Sequence, residues 1–234
     1  MPIVKTEAFI LKSIKYKETS KIVTLFTKDF GKMNAIVKGA RSFKSKHCGV
    51  FESMNYINAV IYLKDNRDLQ FISSAEYKSS FSNIQQDFEK IQSAYRIIDM
   101  LNKTLSEREI SIPVFDLLIK CFKCMNEIND ISILCFTYFQ KELIKYLGYS
   151  PDLISNSNEY ETFIGNIEFT QKKHLLENLR NIENQNLSEI SEMRINPETL
   201  IRISEIYERF ILQHTQGLNY YKSRKTFSEL NQVV

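Results

Sequence analysis

The sequence predicts an α+β protein, a five-stranded β-barrel followed by an all-helical region, and three observations predict it. From Thr6 to Lys78 the chain reads as short runs rich in Ile, Val, Phe, Tyr and Thr, separated by turn formers, which is the composition of strands. Past Phe81 the apolar period changes from two to about 3.6, the helical spacing. Charge changes at the same place: residues 1–80 hold 14 Lys and Arg against 7 Asp and Glu, net +7, whereas the other 154 hold 17 against 21, net −4. A division into 1–80 and 81–234 follows, with each part long enough to bury a core without disulfides or metal.

The strands fall in order. The first is expected at about 7–16 and the second at about 21–28, joined to the third, 33–38, by the turn Asp29-Phe30-Gly31-Lys32, where Gly31 can take a positive φ. A polar loop from Gly39 to Gly49 precedes the fourth strand, 54–63, and the turn Lys64-Asp65-Asn66-Arg67 leads to the fifth, 69–74. Five strands in so short a stretch are expected to close on themselves. The OB-fold is the five-stranded barrel most used for single-stranded nucleic acid.

In the helical part, Ile91, Ala94, Tyr95, Ile98, Leu101 and Leu105 recur at spacings of three and four and predict one apolar helix face. Phe115, Leu118, Ile119, Phe122 and Met125 repeat the pattern after Pro113, a residue tolerated in a first helical turn. The segment 131–147 is apolar on more than one side, as in a buried central helix, with Gly148 placed to cap it. Residues 150–196 form a polar, Asn-rich insert with one short helix at about 172–181. A last helix starts near Asn196-Pro197, carries Leu200, Ile203, Tyr207, Phe210, Ile211 and His214, and stops before Gly217.

Catalytic chemistry is hard to place on this chain. Its six glycines are too far apart for a dinucleotide fingerprint or a Walker A loop. The three histidines, His47, His174 and His214, lie in no catalytic motif, and His214 reads as a packed helix-end residue. Cys121 and Cys124 form a lone C-x-x-C among apolar residues, better suited to core packing than to zinc, which needs four ligands. A non-catalytic protein without cofactor or metal is expected. The N-terminus lacks the apolar stretch of a secretory peptide, the longest apolar run, 131–139, is too short for a bilayer, and four sparse cysteines suit a reducing cytoplasm.

What remains is charge. Eleven Lys and Arg lie in the first 46 residues against Glu7, Glu18 and Asp29, a field that attracts phosphate. It culminates in a loop carrying Lys38, Arg41, Lys44 and Lys46, with Ser42 and Ser45 as donors to phosphate oxygens and Phe43 as a ring able to stack on a base. Tyr220, Tyr221, Lys222, Ser223, Arg224 and Lys225 repeat the mix near the C-terminus. A solvated lysine-rich loop is the alternative on charge alone, and an RNA-binding or translation-associated OB-fold protein is the alternative among binders.

Three segments carry a resemblance. Lys17-Glu18-Thr19-Ser20 runs on to Leu25-Phe26-Thr27 and Gly31; Val37-Lys38-Gly39-Ala40-Arg41 is followed by Lys44-Ser45-Lys46; and Tyr146-Leu147-Gly148-Tyr149 is followed by Gly217 and Lys222-Ser223-Arg224. In this order and spacing they resemble the bacterial RecO family of recombination mediators. The resemblance implies an N-terminal OB-fold, a helical C-terminal domain, binding of single- and double-stranded DNA, annealing of complementary strands, and loading of recombinase with a partner called RecR. It also implies docking of the Phe-ended acidic tail of single-strand-binding protein, for which a groove with Phe139 and Leu143 as apolar floor and Lys141 and Lys145 as basic rim is the candidate. A nucleoid-associated cytoplasmic protein is implied. Many family members carry two zinc-holding cysteine pairs after the position of Tyr149; residues 150–196 hold no cysteine, so structural zinc is not expected.

Overall fold

The computed structural model describes residues 2–42, 49–64, 66–149, 169–193 and 195–214. By its internal contacts the chain forms two compact units, Met1–Asn126 and Glu127–Val234.

In the first unit five strands, β1 (Ile3–Tyr16), β2 (Ser20–Thr27), β3 (Gly31–Val37), β4 (Tyr56–Tyr62) and β5 (Leu69–Ser79), close into a barrel in the order β1-β2-β3-β5-β4. All neighbours are antiparallel except β3 and β5, which run parallel through Asn34↔Leu69 to Ile36↔Phe71. This is the OB-fold arrangement expected from the strand count. β1 is the long strand: its first half pairs with β4, its second with β2, and the register shift between Ile10 and Lys12 bends it from one neighbour to the other. Inward residues such as Ala8, Ile10, Val23, Leu25, Ala35, Ile57, Ala59 and Ile61 are fully buried, and Phe51 closes the same core from the β3–β4 connection.

Three helices complete this unit: α1 (Ser82–Gln85), α2 (Phe88–Thr104) and α3 (Ile112–Glu127). Asp87 caps α2 by accepting from the Lys90 backbone N–H at 3.0 Å, and Pro113 sits in the first turn of α3. The buried face of α2 is turned slightly from the predicted one. Ile97 and Met100 are interior while Tyr95 is 41% exposed, because spacing alone does not distinguish an interior aromatic from one flanking the stripe. Phe115 and Phe122 of α3, with Phe81, pack over Phe9 and Tyr56 on the barrel wall at centroid separations of 5.4–6.5 Å. Each such burial contributes roughly 1.5–3 kcal/mol. Thus α1–α3 belong by contact with the barrel, although the change of sequence period falls at Phe81.

The second unit contains α4 (Ser132–Tyr146), α5 (Phe169–Asn184), α6 (Leu187–Glu192) and α7 (Pro197–His214). α4 is interior on several sides, as its composition predicts, and packs mainly on α7. Beyond it, Gly148 N–H donates to Lys145 O and Tyr149 N–H to Ile144 O, a Schellman motif. α5 is longer than the predicted 172–181, and α6 was not expected from sequence. Its signal was nevertheless present: Asn186 and Glu189 form a capping box. His214 stacks on Phe210 at 4.1 Å between ring centroids, the packed helix-end role anticipated for it.

Candidate nucleic-acid interface

The predicted basic loop begins where β3 ends. Val37 and Ala40 point inward and are buried, so Lys38 and Arg41 point out. Gly39 makes the reversal at φ +69°, and Ser42 N–H closes the turn on Gly39 O at 3.1 Å. Arg41 is tied twice to the β1–β2 turn: its backbone N–H donates to Thr19 O at 3.0 Å and its Nη1 to Lys17 O at 2.9 Å. These bonds bring Lys17 and Arg41 together at one end of the barrel. Lys38 extends along the outer wall, its Nζ 5.7 Å from the Phe71 ring centroid, and Lys17 lies over Tyr16 at 5.5 Å. Lys17, Lys38 and Arg41 are all exposed.

Not every cation of the segment is available to a ligand. Lys21 is buried against Glu52, with which it pairs. Lys32 donates to Asn102 O at 2.6 Å and Leu105 O at 2.7 Å, filling the carbonyl end of α2, and burial holds its pKa below the ordinary lysine value. Glu7 accepts from Lys78 and from the Tyr56 hydroxyl. Burial opposes its ionisation, but these donors outweigh it and hold the carboxyl below its ordinary value. Counting charge along the sequence therefore overstates the free positive surface.

Phe43, Lys44 and Lys46, and likewise Lys222, Arg224 and Lys225, lie outside the described residues. The groove expected on α4 needs correction. Phe139 and Leu143 are fully buried, and Lys141 is 2% exposed. Lys141 Nζ donates to Ile182 O at 2.9 Å and Gln185 O at 2.7 Å at the end of α5, and ion-pairs with Glu142 at 3.0 Å; burial lowers its pKa. Only Lys145 of the four faces solvent. The physical reason is that spacing-four apolar residues on a central helix serve the core before any groove. Cys121 is buried on α3, and among the described residues no three His, Cys, Asp or Glu side chains converge to hold a metal.

Sequence reasoning missed Tyr62 and Phe71, which stand half-buried on the outer wall with centroids 5.7 Å apart. Adjacent apolar pairs such as Ile22-Val23, Ala35-Ile36, Ile61-Tyr62 and Phe71-Ile72 were the available signal. In a strand one member of each pair must face out.

A closed five-stranded barrel with this strand order, bearing an exposed basic end and joined to helices, defines the class as an OB-fold protein. Comparison with known proteins narrows it. Residues 1–81 match the family model for Recombination protein O N terminal and residues 85–225 that for Recombination protein O C terminal; the chain belongs to the RecO family. Among relatives called DNA repair protein RecO, that of Chlorobium limicola is 39% identical over 151 residues, 64% of this chain and 58% of its own length. The Chlorobaculum parvum protein is 36% identical over 74% of this chain and 67% of its own, and that of Prosthecochloris aestuarii is 28% identical over 97% and 98%.

Proposed function

We propose that this protein acts in DNA repair and homologous recombination as a mediator that binds single- and double-stranded DNA by their phosphates and anneals complementary strands. In this role it works with RecR to load recombinase onto strands coated by single-strand-binding protein, in the cytoplasm at the nucleoid. The observation that carries the proposal is the exposed pair Lys17 and Arg41 at one end of a closed barrel, Arg41 bonded to Thr19 O and Lys17 O, with Lys38 exposed on the adjoining wall, in a chain of the RecO family. The guanidinium of Arg41, already bonded to Lys17 O, loses little freedom on binding, and each phosphate that the three cations neutralise releases counterions. Lower repulsion between two strands held on one surface then favours their meeting, and base pairing supplies the sequence choice. No step calls for a nucleotide, a metal or a covalent intermediate. Residues 1–80 and 81–234 are taken as the functional domains. Phe43, Lys44 and Lys46, and also Lys222, Arg224 and Lys225, are assigned to the same DNA contact. The tail of single-strand-binding protein stays among the proposed partners, but without a groove on Phe139, Lys141 and Leu143.

The test is annealing of complementary strands coated with single-strand-binding protein, without ATP, alongside DNA affinity across a salt series. Wild type accelerates annealing, and its affinity falls with salt. Lys38→Glu with Arg41→Glu weakens binding and flattens the log–log salt slope by about two. An unchanged slope refutes the assignment of these residues, and tighter binding of folded RNA than of DNA refutes the DNA role.

A further inference from the structure

Two rows of apolar side chains run around the outside of the barrel, and they are treated differently. In the first, Phe26, Phe9 and Tyr56 are register neighbours on β2, β1 and β4, and all three are buried beneath Phe81, Phe115 and Phe122. The second row follows the ladder Ile14↔Ile22, Ile22↔Ile36, Ile36↔Phe71, Phe71↔Tyr62 and Tyr62↔Ile3 across all five strands. Cross-strand partners project to the same face of a sheet. The chain neighbours Val23, Ala35, Ile61 and Ile72 point into the core, so the row points out. Ile14 is 45% exposed and Ile3 60%, and the other four are half-buried.

Charge tells what this row suits. Lys38 lies over the Phe71 ring. Lys12, two residues before Ile14, and Lys5, two after Ile3, share the outward face and are exposed. An apolar protein surface would need few cations, whereas a strand of unpaired nucleotides offers flat bases for the rings and a phosphate chain for the lysines. A duplex hides its base faces and meets only the charge.

We propose that the row centred on Tyr62 and Phe71 beneath Lys38 is a stacking platform for the unpaired bases of single-stranded DNA, with Lys5, Lys12 and Lys38 taking its phosphates. The inference rests on the DNA-binding function above and adds to it which residues distinguish a single strand from a duplex and how they hold it. It separates two components of binding. The lysines serve single strands and duplex alike and weaken with salt, while the rings serve only single strands and persist at high salt.

Fluorescence anisotropy with the full-length protein tests this using three labelled probes: oligo-dT, an abasic oligonucleotide of equal length, and a duplex, each at low and high salt. At low salt all three bind. At high salt oligo-dT outlasts the abasic probe by on the order of tenfold in affinity. Tyr62→Leu with Phe71→Leu, which keeps apolar bulk but removes both rings, abolishes that advantage and leaves abasic and duplex binding unchanged. Thermal melting of the variant checks its fold, and the wild-type comparison of dT with the abasic probe stands without any variant. Equal affinity for those two probes at high salt overturns the platform, as does a folded double variant that binds oligo-dT normally. A double variant that keeps all DNA binding but loses a purified protein partner reassigns the row to protein contact. If no probe binds even at low salt, the DNA-binding function fails and the platform with it.

Discussion

Gly31 and Gly39 both turn the chain with positive φ, but they carry different constraints. At Gly31, φ +68°, an added Cβ would lie 2.3 Å from Glu109 O, because Arg108 N–H reaches back to Lys32 O at 2.8 Å and draws the α2–α3 connection against the hairpin. Around Gly39 no atom of the described residues lies within 4 Å of an added Cβ. Gly39→Ala therefore costs only the left-handed strain, about 1 kcal/mol, whereas Gly31→Ala costs at least about 2 kcal/mol, since backbone must move as well. Urea titration of both variants checks this, and equal midpoints would refute the close approach at Gly31. The turn at Gly31 was legible in the residues Asp29-Phe30-Gly31-Lys32; its packing against Glu109 was not, because the two are distant in sequence.

Helix α4 shows how an element can absorb residues that look functional. Lys141 reads in sequence as one of two basic residues beside Phe139 and Leu143. In the fold its ammonium fills the carbonyl end of α5, where the last turn has no intrahelical donors. Lys141→Ala removes the ammonium from those carbonyls in a buried place, leaving Ile182 O only its 3.4 Å bond from Gln185 N–H, and is expected to cost about 2–4 kcal/mol, against within about 0.5 kcal/mol for the exposed Lys145→Ala. Chemical denaturation followed by circular dichroism distinguishes the two. Helices α2, α3 and α7 are visible from period because an amphipathic face repeats locally, and α4 from a segment apolar on more than one side with Gly148 to cap it. Tyr95 flanks the buried face of α2 despite sharing its spacing, and α6 shows no period because six residues are too few, so only its cap announces it.

For the molecule as a whole, each compact unit has its own buried core: the barrel interior and the Phe9–Phe115–Phe122 cluster in one, and Phe136, Phe139, Ile203 and Tyr207 in the other. Two cores predict unfolding in more than one step. Gly31→Ala should move one transition and Lys141→Ala the other in urea titrations monitored by circular dichroism; a single transition shifted by both would contradict this. The charge asymmetry that marks the first 80 residues is likewise a property of the whole, yet Lys21 and Lys32 show that part of it is used internally. By itself the sequence determined the α+β class, the five strands, the main helices and the basic stretch through Arg41, because period, turn residues and charge are local or additive. Only the tertiary structure decided which side of each strand met the core, that α1–α3 pack with the barrel, that Lys141 is interior, and that Tyr62 and Phe71 adjoin outside beneath Lys38. Such pairings join residues far apart in the chain through sheet register and packing, which no local pattern encodes.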